Sequence, residues 1–239
     1  MESHPRLHQV LDASRDLSGG LVNATLLLTL HRDVESLPGL DGRRLGGSNK
    51  QHALRWAIFT MSYAALEAFF NDVLRDPSST RPLPLNPDKL RQAGERLSVK
   101  LFTNEWGVRT RTQVPLAGKR SRWVAYSGTQ DIKAYLGDMK SLRDLLNHGQ
   151  DPRNASNVSG ALWKLARGGH SLRVMGAEGF IQAACDLAEQ TILAFGGNKE
   201  DFPAWPEPAR SGLSAEPRPA LKLLPSSVAP LNVAVASDP

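Results

Sequence analysis

The segment from about Lys50 to Leu74 constrains the fold most. It carries Trp56, Ile58, Phe59, Met61, Leu66, Phe69, Phe70, Val73 and Leu74 before Asp76-Pro77 ends it. Apolar side chains cover so much of its circumference that a helix here needs neighbours on several sides, which predicts the central helix of the fold. Glu67 lies inside this run, and Asn71, four residues on, shares its face. An acid in that setting points either out to solvent or into a polar site.

The remaining periodicity is also helical. Leu7, Val10, Leu11, Leu17, Leu21, Ala24 and Leu28 keep one face apolar and predict an earlier helix, with Gly19-Gly20 as a weak point that kinks or splits it. Pro38 and the glycines at 39, 42, 46 and 47 form a loop. Asn86-Pro87 opens a shorter helix over Leu90, Ala93 and Leu97. Ser127, with Gln130 three residues on, reads as the capping box of a third main helix. That helix carries Ile132, Tyr135, Leu136, Met139, Leu142, Leu145 and Leu146 and stops at His148, where Gly149 and Asp151-Pro152 follow. A short helix is expected around 158–166. A last main helix is expected from Ala177 to Phe195, closed by Gly196-Gly197, with Cys185 on its apolar side. The expected fold class is all-α: four main helices in an up-and-down bundle, with short extra helices and an insertion at about 98–128 that is a hairpin or an irregular loop.

Beyond residue 197 the character changes. Residues 198–239 hold 8 of the 16 prolines, a density that forbids helix and central strand alike. This predicts a helical domain over 1–197 and a disordered proline-rich tail, with local docking by Phe202 and Trp205.

Charge is concentrated rather than large. The formal net charge is +5, and Lys100, Arg109, Arg111, Lys119, Arg120 and Arg122 are opposed within their stretch only by Glu105. Trp106, Trp123 and Tyr126 sit in or beside it. Cations interleaved with flat rings suit an RNA backbone with bases to stack on. The competing reading is a solvated basic loop whose tryptophans pack inward.

Several classes are excluded. A single cysteine leaves no internal disulfide framework and no Cys-rich zinc cluster. No secretory leader or membrane-spanning run is visible, so the expected setting is cytoplasmic, with no membrane partner. There is no glycine-rich phosphate loop, no HExxH and no nucleophile elbow, and the six histidines are scattered. No metal or cofactor is expected.

What remains is Leu142-Arg143-Asp144-Leu145-Leu146-Asn147-His148-Gly149 at the end of the third main helix. Five residues rotate a helix by roughly 140° net, so Arg143 and His148 share no straight-helix face. They converge only in a distorted last turn or across two copies of the motif. Histidine can take a proton from a ribose 2′-hydroxyl or return one to the leaving oxygen. Arginine forks onto phosphate oxygens and suits a pentacovalent phosphate. Together they suit metal-free RNA cleavage that leaves a 2′,3′-cyclic phosphate. The competing reading makes Arg143 a surface residue and His148 a helix-end cation.

The run from Arg143 to His148, followed by Gly149, resembles the Arg-x4–6-His signature of HEPN domains, as does its place at the end of the third main helix of four. The acid-bearing second helix is similar too. The resemblance covers roughly residues 5–197. It implies a homodimer in which two motifs form one ribonuclease site, in a bacterial toxin–antitoxin or anti-phage system with an antitoxin or defence partner. It assigns Arg143 and His148 as the catalytic pair and Asp144 as the residue that orients them, with Glu67, Asn71 and Asn147 in support. The basic insertion would grip the RNA. The alternatives are a HEPN module that binds RNA or protein without cutting, and a helical scaffold whose tail recruits partners.

Overall fold

In a computed structural model, residues 4–36, 52–76, 78–113, 121–207 and 221 are described. The chain is mostly helical: α1 (Leu7–Ser36), α2 (His52–Leu74), α3 (Pro87–Arg96), α4 (Thr129–Asn147) and α5 (Val174–Ala194). Two small antiparallel sheets join them, β1 (Gly107–Gln113) with β2 (Ser121–Ser127), and β3 (Trp163–Lys164) with β4 (His170–Ser171). The all-α expectation is corrected to that extent. Among the described residues no helix is long and apolar enough to cross a membrane.

α1 and α2 run antiparallel, with the Arg6 guanidinium donating to the Val73 carbonyl at 3.4 Å near the start of one and the end of the other. α1 is continuous through Gly19-Gly20, so the glycine pair does not split the helix. The reason for one of the two glycines is a close approach, since a Cβ at Gly20 would stand 3.1 Å from the Ala65 Cβ.

The most enclosed helix is α5 rather than α2. Of its 21 residues, 16 are buried, because α1 and α2 pack on it from one side and β1 from the other. A Cβ at Gly179 would collide with the Arg111 backbone, so the ribbon lies directly on the helix. α2 buries Ile58, Phe59, Leu66, Phe69, Phe70 and Val73. Its outward positions include Ala53, Ala64 and Ala68, small residues that tolerate exposure.

The basic stretch forms the β1–β2 hairpin, in register from Gly107 opposite Ser127 to Gln113 opposite Ser121. Ser127 is thereby held in the sheet and cannot cap α4. The N-cap is Gly128, at φ +84°, with no side-chain cap, which corrects the expected capping box. α5 grips the outer edge of β1 by two side chains one turn apart. Gln190 accepts from the Gly107 N–H at 2.8 Å and donates to its carbonyl at 2.7 Å, and Asp186 accepts from the Arg109 N–H at 2.6 Å.

The helix expected at 158–166 does not form. The buried Asp138 of α4 accepts from Ser156 Oγ and from the backbone N–H groups of Val158 and Ser159, at 2.6 to 2.9 Å, which winds that segment around one carboxylate. Gly168 and Gly169, at φ +85° and +75°, then turn β3 into β4.

Of the tail, residues 198–207 and 221 are described, and the rest of the expected disorder lies outside the described residues. Phe202 and Trp205 dock on the core. Trp205 Nε1 donates to Glu189 Oε1 at 2.8 Å. Burial pushes the Glu189 carboxyl above its ordinary range, partly offset by the Trp205 bond. A carboxyl raised in the folded state holds its proton better folded than unfolded, so stability falls as pH rises through that window. Glu189→Gln keeps an acceptor for Trp205 and removes the charge. Its melting temperature should match the wild type near pH 4 and exceed it increasingly towards pH 7.

Candidate active site

Arg143 emerges from the penultimate turn of α4 onto α2. Its guanidinium carbon lies 4.9 Å from the centroid of the Tyr63 ring, its Nη2 donates to Glu67 Oε1 at 2.8 Å, and its Nη1 stands 2.9 Å from Asp144 Oδ1. Tyr63 and Glu67 are one helical turn apart on α2, which places ring and carboxylate under the same guanidinium. Tyr63 also stacks on Phe180 of α5, with centroids 5.9 Å apart and planes at 8°. The arginine therefore rests on a floor tied to the most buried helix.

The groove above this floor has a volume of about 340 Å³ and is lined by Thr60, Met61, Tyr63, Ala64, Glu67, Arg143 and Asn147. Tyr63 Oη is buried and has no hydrogen-bond partner among the described residues. Burial pushes its phenol well above the ordinary range, with Arg143 pulling the other way, so the hydroxyl keeps its proton at neutral pH. Sequence reasoning missed Tyr63. The signal was its spacing of four from Glu67.

His148 is the C-cap of α4 and is exposed. Gly149, at φ +64°, donates to the Leu146 carbonyl at 3.3 Å, and Gln150 donates to the Leu145 carbonyl at 2.8 Å. This pair of bonds is a Schellman termination, which stops the helix where the sequence indicated. The imidazole makes no hydrogen bond or ion pair among the described residues, and it does not line the groove. Within one chain the last turn does not bring His148 and Arg143 onto one spot.

The supporting residues divide. Glu67 faces the polar site, and Asp144 holds Arg143 while accepting from Lys140 Nζ. Asn147 lines the groove. Asn71 does not. Its amide donates to the carbonyls of Glu67 and Leu83 and accepts from the Leu83 N–H, so it clamps the loop after α2.

Two of the six cations expected to grip RNA are paired within the fold. Arg109 forks onto Asp186 and Arg111 binds Glu178 Oε2 at 3.1 Å, each carboxylate on α5 and buried. Their charge is neutralised inside the fold because a buried acid is tolerable only when paired. Lys100 and Arg122 are exposed, and Lys119 and Arg120 lie outside the described residues. Trp106 is buried against Phe102, Tyr126 stacks on Tyr135, and Trp123 lies under Arg111. Trp106 packs inward, whereas Trp123 stays half-exposed.

Cys185 is buried, as its position on the last helix indicated. Among the described residues no group of three or more His, Cys, Asp or Glu is placed to hold a metal ion. What the groove offers chemically is one cation and the Glu67 carboxylate above the Tyr63 ring, with the exposed imidazole of His148 outside its lining. Compared with family models, with curated proteins and with solved structures, the chain finds no match in any of the three.

Proposed function

We propose that the chain is a metal-independent endoribonuclease of HEPN type, with its four long helices in the up-and-down arrangement of that family. The observation that supports it most is the Arg143 guanidinium, set over the Tyr63 ring at the mouth of a groove wide enough for a phosphate, at the end of the helix that carries His148.

In this reading a phosphate takes the place of Glu67 on Arg143. His148 removes the proton of the 2′-hydroxyl, and the 2′-oxygen attacks phosphorus. The bond to the 5′-oxygen breaks, and that oxygen leaves with a proton from a second acid, the His148 of another copy. The products are a 2′,3′-cyclic phosphate and a 5′-hydroxyl end. Two copies are required because one chain does not converge His148 on Arg143. Lys100, Arg122 and the segment with Lys119 and Arg120 then serve RNA contact. A toxin or anti-phage role, an antitoxin partner and a cytoplasmic setting follow from the family reading.

The experiment is incubation of total RNA with the protein in EDTA, followed by mapping of the ends. Cleavage with cyclic phosphate ends supports the reading, and intact RNA counts against it.

A second reading has its own observation. Arg143 is already held by Glu67 and Asp144, and His148 stands apart, which is the geometry of a domain that binds without cutting. Glu67→Gln asks, within the cutting reading, what the acid does on Arg143. The Glu67–Arg143 pair is about a quarter exposed on each side, too buried to count as a surface pair, so its loss costs about 1–3 kcal/mol of stability. If Glu67 competes with phosphate, the variant should lower KM several-fold with kcat held. A fall in kcat instead would make Glu67 a positioning residue.

A further inference from the structure

The Arg143 groove is larger than the phosphate assigned to it. At about 340 Å³ it has more than twice the volume of a cavity of about 150 Å³ that holds benzene. It also reaches the size range of small-molecule sites. Its two ends differ. Thr60, Tyr63, Ala64 and Glu67 follow at spacings that put them on one face of α2, and Arg143 and Asn147, four apart, share a face of α4. Arg143 pairs with Glu67. Asn147 stands one turn further along α4, in a lining that includes Thr60 and Met61 but not Asn71. The two helices therefore pass in opposite directions here. The groove runs from a charged end at Glu67 and Arg143 to a neutral end at Thr60, Met61 and Asn147, with Glu67 and Thr60 roughly 10 Å apart along α2.

The neutral end carries a defined hydrogen-bonding pattern. The Asn147 side chain is exposed and makes no hydrogen bond among the described residues, so its amide offers a donor and an acceptor side by side. Thr60 donates its hydroxyl to the Trp56 carbonyl at 2.8 Å, which leaves its oxygen as an acceptor. Met61, partly buried, and Ala64 supply an apolar flank for a flat ring.

We propose that this end reads the base of the nucleotide whose phosphate sits on Arg143, and that it selects adenine or cytosine. Asn147 pairs with the exocyclic amine and the neighbouring ring nitrogen, the bidentate contact that amide side chains make with adenine. The second hydrogen of the amine goes to Thr60 Oγ1. Guanine and uracil present a carbonyl oxygen at that ring position, and it would meet the Thr60 oxygen with no proton between them. A turned Asn147 amide satisfies either pattern, so Thr60 sets the choice. The inference rests on the ribonuclease reading for placing a phosphate on Arg143. It adds what neither Arg143 nor His148 supplies, a preference in sequence.

The test titrates the full chain with the four nucleoside 3′-monophosphates to millimolar concentration by ligand-observed NMR, and maps cut sites in RNA of mixed sequence. The adenine and cytosine nucleotides should bind about 5–150-fold tighter than the other two, the worth of one bidentate base contact. Cuts should fall beside adenine or cytosine. Thr60→Val keeps the shape and removes the acceptor, so it should flatten the ranking, and Asn147→Ala should bring the favoured pair down to the level of the others. Both should melt close to the wild type, since Asn147 is exposed and the Thr60 bond lies within its own helix. Equal binding of the four nucleotides, or none, overturns the inference, as does a ranking that survives both variants. RNA cut without a preferred flanking base removes base selection and leaves the ribonuclease reading standing. Ranked binding with uncut RNA keeps base selection and removes the cutting.

Discussion

His148→Ala should lower RNA cleavage by about 10²–10⁴-fold, the range of a positioned general acid–base group, and leave the melting temperature where it is. The second half of that expectation comes from exposure, since the ring makes no hydrogen bond or ion pair among the described residues. Arg143→Ala should cost about 10²–10³-fold, as removal of a fixed donor from a developing charge does. It should also destabilise modestly, because Glu67 then loses its cation while Asp144 keeps only Lys140. Arg143→Lys isolates the fork: it keeps the charge and loses bidentate geometry, so recovery should be incomplete. Single-turnover cleavage in EDTA measures all three. Undiminished cleavage in both alanine variants would mean that the cutting does not belong to this site and would leave the binding module as the better reading.

Asp186→Ala should destabilise the protein by about 3–5 kcal/mol, the cost of stranding a buried charge. Asp186 is fully buried. It accepts from Arg109 Nε at 3.1 Å, from the Arg109 N–H at 2.6 Å and from Gln182 Nε2 at 2.8 Å. Losing it orphans a guanidinium and a backbone donor together. For a chain of this length that is a fall in Tm on the order of 10 °C. Removing both partners, as Arg109→Met with Asp186→Leu, should cost less than Asp186→Ala alone, because no charge is then left without a partner. Urea titration of the three proteins decides it.

These two sites also mark what the sequence could and could not disclose. The long helices were legible because their apolar spacing is a local signal, and the end of α4 because Gly149 has a backbone job that neighbouring residues reveal. Glu67 was legible as an anomaly, an acid inside an apolar run. Its partner was not, since Arg143 lies 76 positions away and pairing over that distance leaves no trace in spacing. The basic stretch misled for the same reason. Arg109 and Arg111 look like a patch when read along the chain, but their counter-charges, Asp186 and Glu178, sit a helix away on α5. The missed turn at 156–159 depends on Asp138, whose buried carboxylate substitutes for helix hydrogen bonding in a segment that otherwise has helical spacing. α2 seemed central because its large apolar residues spread round much of the circumference, although Trp56 and Met61 are only partly buried.

The grip of α5 on β1 has a consequence for how the protein behaves in company. A two-stranded ribbon ordinarily presents two open rims, each able to template another strand and so to seed aggregation. Here the free N–H and C=O of Gly107 are bound by Gln190, and the N–H of Arg109 by Asp186. Two helix side chains stand where a neighbouring strand would dock, so the rim of β1 from Gly107 to Arg109 is closed to a foreign chain.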